Sequence, residues 1–175
     1  LDLLRRIEET DIPYPFPTDP LPEGEKTRDP MNVGITHVHH FYTRRNLWTL
    51  AAMWQKLREA EPSLRHWLTF TFEQAILGMS RWARYVPKHY SQVNQGLSGT
   101  LYIASQVVEA SPGYIIRGKI PRLAAVLRTS GLGLPVAVST QSSHRLESLP
   151  DNSVDYVFVD PPFGANLMYS ELNFL

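Results

Sequence analysis

The chain has 175 residues, 43% of them hydrophobic and 19% charged, which is the composition of a globular domain large enough to bury a core. Its 17 Lys and Arg balance 17 Asp and Glu, so no global field draws it to nucleic acid, although a local basic patch would not show in the total. The absence of cysteine excludes disulfides and thiolate zinc sites within the chain, and no apolar run nears the ~18–20 residues of a membrane span.

Residues 2–9 (DLLRRIEE) carry helical spacing. Residues 10–31 hold six prolines, with Pro13, Pro15 and Pro17 alternating. Proline fixes φ and removes a donor, so this stretch reads as an extended, surface-hugging segment or a linker. Tyr14 and Phe16 within it point to packing on something. The clearest helix lies over 43–61, with Thr43 as its N-cap and Leu47, Leu50, Ala51, Trp54 and Leu57 along one face. Pro62 and Ser63 restart a second helix over 64–79. Trp48, Trp54 and Trp67 are expected in the core, and residues 87–99 read as polar loop.

Residues 100–108 (TLYIASQVV) read as a strand, 111–113 as a turn and 114–117 as a short extended piece. Residues 120–130 read as a helix with proline in its first turn and Gly131 just past its end. Residues 135–140 (PVAVST) form a β-branched strand, and 149–153 (LPDNS) a turn. The near-continuous apolar run 154–159 (VDYVFV) suits a central strand covered on both faces. The tail 165–175 reads as the start of a helix. The fold class expected is α/β, with the run 154–159 as a central strand.

Asp160-Pro161-Pro162-Phe163 follows that strand directly, at the edge where α/β sheets bind ligands. A carboxylate accepts one hydrogen of an exocyclic amine. The Pro161 carbonyl is free to take the other, Phe163 offers a flat face for stacking, and Gly164 lets the chain turn away closely. Accepting both amine hydrogens raises electron density on nitrogen and favours the geometry needed for attack on a methyl sulfonium. This chemistry relies on position and electrostatics more than on a strong base.

The motif resembles the D-P-P-[YF] of amino-group methyltransferases that use S-adenosylmethionine. The longer string LPDNSVDYVFVDPPFGANLMYSELN resembles bacterial adenine-specific DNA methylases over residues 140–173, and the segment from Ile35-Thr36-His37 through Phe41-Tyr42-Thr43-Arg44-Arg45-Asn46-Leu47, within 33–60, resembles a stretch that such proteins carry upstream. The resemblance implies a partial Rossmann-like methyltransferase fold preceded by an N-terminal proline-rich segment and a helical portion. It also implies S-adenosylmethionine as donor, a flipped-out base as acceptor and DNA as partner. Asp160, Pro161, Pro162 and Phe163 become the catalytic set, and Gly164, Tyr169 and Glu171 the substrate contacts, with a loop-fixing role as the other reading of Glu171. Ser142 and Ser143, after the strand over 135–140, are the candidate cofactor contacts, with an ordinary turn as the competing reading. The family's glycine turn is not found after Phe163, and the Gly-x-Gly of Ser130-Gly131-Leu132-Gly133 precedes a strand instead of following one.

The chain therefore divides into an extended proline-rich segment (1–32), a mainly helical part (33–95) and a partial methyltransferase α/β domain (96–175). With Leu1 first and Asn173-Phe174-Leu175 last, it is expected to be a piece of a longer polypeptide whose remainder completes the fold. No secretion signal opens it, and a cytoplasmic location is the expectation. Thr36-His37-Val38-His39-His40 lacks a carboxylate at a supporting spacing, so no metal is assigned. Arg44 and Arg45 lie in the first helical turn, where a cation is disfavoured unless it is paired. Salt bridges are the main expectation there and phosphate contact the other. Two alternatives stay open: methylation of guanine N2 in RNA, and a non-catalytic nucleic-acid-binding or assembly module with a methyltransferase-like shell.

Overall fold

The structure is a computed structural model that describes residues 1–87, 96–129, 137–142, 145–160 and 168–172. Helix α1 spans Asp2–Glu9. A proline-rich strap follows, in which Ile12, Tyr14 and Phe16 are half-buried and Pro13, Pro15 and Pro17 face solvent. This period of two is what an extended chain gives, and it turns Ile12 and Phe16 onto the core. The strap ends at a short helix, α2, Arg28–Asn32, followed by Gly34 at φ 84° and a 3-10 turn, Val38–Phe41.

Helix α3 spans Arg44–Glu59 and helix α4 spans Pro62–Met79. The Thr43 hydroxyl accepts from the Asn46 backbone N–H at 3.3 Å, the N-cap expected from sequence. Pro62 occupies the first turn of α4, where its missing N–H leaves nothing unsatisfied. Leu47, Leu50, Ala51 and Leu57 are buried along one face of α3, each leucine worth about 1.5–3 kcal/mol. Ala75 and Met79 meet that face from α4, and Phe41 is fully buried beneath the hairpin. The strap, the 3-10 turn, α3 and α4 line an open, largely apolar cavity of about 390 Å³ whose wall includes Phe16, His39, Tyr42, Trp54 and Phe72.

Helix α5 spans Pro112–Thr129 and packs on α4. Ile115 is buried, Ile116 and Leu123 are half-buried, and Lys119 Nζ donates to Gln74 Oε1 at 3.3 Å. Helix α6 is a single turn, Tyr169–Leu172.

The α/β expectation is overturned: no strand forms among the described residues, whose only β pairing consists of two isolated bridges, Pro20 with His37 and Arg84 with Val107. The extended piece over 114–117 and the turn before it are helical, part of the single run Pro112–Thr129. Ile115, Lys119 and Leu123 recur every four residues and lie along α4. That packing carries the helix through Pro121, which is exposed. Residues 100–108 form no strand: Leu101 and Val108 are buried and Ser105 and Gln106 lie in a bend, and the segment meets 83–85 through the Tyr85 N–H to the Gln106 carbonyl at 2.9 Å and the Val108 N–H to the Ala83 carbonyl at 2.7 Å. The described part of the strand read over 135–140, residues 137–140, is irregular and exposed.

The run 154–159 also forms no strand. Tyr156, Val157, Phe158 and Val159 are 68–80% exposed. An apolar run becomes a central strand only when neighbouring strands satisfy its backbone and cover both faces, and no described segment supplies them. The partial Rossmann-like fold is therefore not the architecture seen among the described residues, whose regular elements are all helical. The tryptophans also depart from expectation. Trp54 is 36% and Trp67 42% exposed, Trp54 leaning on Phe72 with ring centroids 5.4 Å apart, because the core seam of α3 is filled by smaller side chains.

Candidate functional site

The turn predicted over 149–153 leads into the motif. The Leu149 N–H reaches the Leu146 carbonyl at 2.9 Å, the Ser153 hydroxyl donates to the Pro150 carbonyl at 2.7 Å, and Asn152 takes φ 58°, a conformation asparagine tolerates. Asp160, at the end of the exposed run, is itself exposed. Pro161, Pro162, Phe163 and Gly164 lie outside the described residues.

Beyond the motif, Tyr169 is 51% exposed and Glu171 only 8%. Glu171 Oε2 accepts from the backbone N–H groups of Lys26, at 2.7 Å, and Thr27, at 3.2 Å. This is the geometry of the loop-fixing role. Its partners Gly24, Lys26 and Thr27 were not singled out from the sequence. The contact joins a side chain to backbone 144 and 145 residues away, and only Gly24, inside a proline-rich stretch, hints at a close approach.

Ser142 is exposed, Ser143 lies outside the described residues, and so does the Gly-x-Gly of 131–133. A methyl-donor cofactor of nucleoside size needs a concave cradle with a few convergent polar groups. Ser142 and Asp160, both exposed, do not make one among the described residues.

The arginines of the upstream stretch are engaged in the fold. Arg44 Nε donates to the Ile7 carbonyl at 2.9 Å and the Thr10 carbonyl at 3.2 Å, closing the C-terminal end of α1 with a cation where the helix dipole favours one. Arg45 donates to both carboxylate oxygens of Glu109, and the Thr43 hydroxyl donates to the same carboxylate. Burial works to raise the Glu109 carboxyl, but the bonds from Arg45 and Thr43 outweigh it and hold the group below the usual carboxylate range. The structural reading of both arginines is the one observed.

The histidines lie on the 3-10 turn and its cap. Their rings gather, with centroids 4.4 Å apart for His39 and His40, 5.0 Å for His37 and His40, and 5.6 Å for His37 and His39. The Thr36 N–H donates to His40 Nδ1 at 3.3 Å, and the Thr36 hydroxyl lies 2.9 Å from His37 Nδ1. His39 Nδ1 is buried without a partner, and burial, with His40 and His37 beside it, holds the His39 imidazole below its ordinary pKa. Among the described residues no group of three or more His, Cys, Asp or Glu is placed to hold a metal ion. No helix among them is long and apolar enough to cross a membrane.

No family model, no curated protein and no solved structure matches the chain.

Proposed function

We propose that this chain supplies the acceptor-gripping part of an S-adenosylmethionine-dependent methyltransferase acting on an exocyclic amino group of a nucleic-acid base, with adenine N6 in DNA as the first substrate. The observation that carries the reading is the run 149–173, in which a carboxylate, a proline carbonyl and a flat ring follow one another at Asp160, Pro161 and Phe163. Asp160 accepts one amine hydrogen and the Pro161 carbonyl the other, while Phe163 stacks the base and Gly164 lets the chain pass close to it. The exposure of Asp160 leaves its carboxylate open to a base, which supports the reading. S-adenosylmethionine supplies the methyl group in the family that the motif resembles. The described residues do not form its cradle, so every role assigned here concerns the acceptor. The exposed apolar run 154–159 needs cover, and in this reading other parts of the same polypeptide provide it.

A second reading is favoured by that same exposure together with the unenclosed Ser142: a non-catalytic nucleic-acid-binding or assembly module, in which 154–159 is a docking segment. The two are separated by incubating the intact protein with labelled S-adenosylmethionine and unmodified DNA or bulk RNA, with Asp160→Ala alongside. Label appearing in DNA as N6-methyladenine, and lost in the variant while cofactor affinity stays within about a few-fold, supports the enzyme and the role of Asp160 together. Label in RNA alone keeps the chemistry and moves the substrate to guanine N2. Unchanged turnover in Asp160→Ala sinks the assignment of that residue, and neither label nor cofactor binding moves the reading to the module.

A further inference from the structure

One side chain joins the two ends of the sequence. Glu171, on α6, is 8% exposed, and its Oε2 accepts from two successive backbone N–H groups, Lys26 at 2.7 Å and Thr27 at 3.2 Å. Consecutive N–H groups aimed at one point form an anion-holding concavity, and a carboxylate seated in one makes charge-assisted hydrogen bonds of the stronger kind. The seat is shaped for it. A Cβ built on Gly24 would collide with the Glu171 carboxyl carbon and both of its oxygens, so a side chain there would push the carboxylate from its present position. Thr27 is fully buried and its hydroxyl donates to the Pro22 carbonyl at 2.7 Å, fixing the turn that presents the two N–H groups. The Lys26 ammonium pairs with Glu25 at 2.8 Å, and the hydrogen bonds that hold the Glu171 carboxylate come from the two backbone N–H groups.

We infer that Glu171 is a positioning residue that clasps the segment following the Asp160–Phe163 motif to the proline-stiffened strap, and that the strap is thereby part of the acceptor machinery. This rests on the acceptor reading above. Glu171 lies eight residues after Phe163, and its carboxylate is committed to the turn, which removes it from the set of groups that touch the amine. The strap is a suitable anchor because its prolines fix φ along its length and Ile12 and Phe16 seat it on the core. A methyl-acceptor site gains from such an anchor because a small displacement of a gripped amine is enough to slow transfer.

The test compares Glu171→Ala, Glu171→Gln and Gly24→Ala in the intact protein, reading backbone hydrogen exchange and methyl transfer to DNA. In Glu171→Ala the Lys26 and Thr27 amides lose protection while α3 and α4 keep theirs, which shows that the fold persists. Its kcat falls about 10- to 100-fold with KM for DNA within about twofold. Glu171→Gln keeps an oxygen that accepts both N–H groups and recovers most of the rate, whereas Gly24→Ala reproduces the alanine variant. A raised KM with unchanged kcat in Glu171→Ala would make the residue a substrate contact and overturn the proposal, as would unchanged exchange at Lys26 and Thr27. A wild-type protein that transfers no methyl overturns the acceptor reading and the positioning role with it, while the exchange at those two amides decides the clasp by itself.

Discussion

The side-chain amide of Asn46 donates to the Met79 carbonyl at 2.8 Å, so the first turn of α3 closes the last turn of α4. Both residues are buried, Asn46 at 3% exposure and Met79 at 1%, and water cannot take over the bond. The Arg81 N–H reaches the Phe41 carbonyl at 2.6 Å just beyond it, so the helical hairpin is tied to the 3-10 turn at the same place. Helix C-termini leave carbonyls without intrahelical partners, and a buried one must find a donor elsewhere. Asn46→Ala strands the Met79 carbonyl and is expected to destabilise the protein by about 1–3 kcal/mol. Urea unfolding followed by far-ultraviolet circular dichroism measures this, and an unchanged midpoint would show that the hairpin closes without the bond.

The Arg45–Glu109 pair calls for a smaller expectation. Arg45 is 54% exposed at its side chain and Glu109 29%, so solvent screens their attraction. Arg45→Ala is expected to lower stability by about 0–1 kcal/mol. The Glu109 carboxyl is held below its ordinary value, so its contribution is present above pH 4.5 and is lost as pH falls through the lowered folded pKa. Stability curves of wild type and Arg45→Ala should therefore converge on acidification below pH 4.5. Curves that stay parallel would place the bond's worth elsewhere.

The histidine cluster sets a second pH dependence, on the near-neutral side. His39 is held below 6.5 by burial first and by His40 and His37 next, and its neighbours in the cavity wall include Phe16, Tyr42 and Glu73. Burial also raises the Tyr42 phenol, which stays neutral here. An imidazole with a lowered folded pKa favours the folded state while neutral. Between its folded value and 6.5 the unfolded chain binds more protons, so stability rises with pH. Full stability is expected above pH 6.5, with a loss as pH falls from there through the folded pKa of His39. His39→Phe removes the titrating group, keeps a ring beside Phe16 and should flatten this part of the curve. Retention of the slope in that variant would remove His39 as its source.

How far these features were legible depends on the range over which each signal acts. Thr43, Leu47, Leu50 and Pro62 announced α3 and α4 because caps and helical periodicity are local, and the alternating Pro13, Pro15 and Pro17 announced an extended strap for the same reason. Residues 114–117 misled because a short β-branched stretch reads equally as strand or helix. The contact with α4 that decides between them, Lys119 with Gln74, lies 45 residues away. The run 154–159 misled more deeply. Its apolarity states that it wants cover on both faces but does not supply the strands that would give it. Asp160 could be singled out because the chemistry proposed for it is contained in four adjacent letters. The Lys26 and Thr27 amides that hold Glu171 were not, because a backbone N–H carries no letter of its own.

Phe163 supplies the last prediction. In the acceptor reading its ring does no chemistry. It holds the plane of the base while Asp160 and the Pro161 carbonyl orient the amine. Stacking on an aromatic ring is worth about 1–3 kcal/mol per base and tolerates any sequence, because every base has a π-face. Phe163→Ala should therefore weaken binding of a DNA duplex carrying an abasic partner opposite the target adenine by that amount, about 5- to 150-fold in Kd. Phe163→Tyr should bind within about twofold of wild type, since it keeps the ring. The duplex is chosen because its unpaired adenine leaves the stack at little energetic penalty, so the measurement isolates the grip on the base from the work of extruding it. Titration by fluorescence anisotropy at fixed salt gives the number, with salt held constant because phosphate contacts would otherwise dominate the affinity. Equal affinity of Phe163→Ala and wild type would remove stacking from the motif and leave Asp160 and Pro161 without a base to orient.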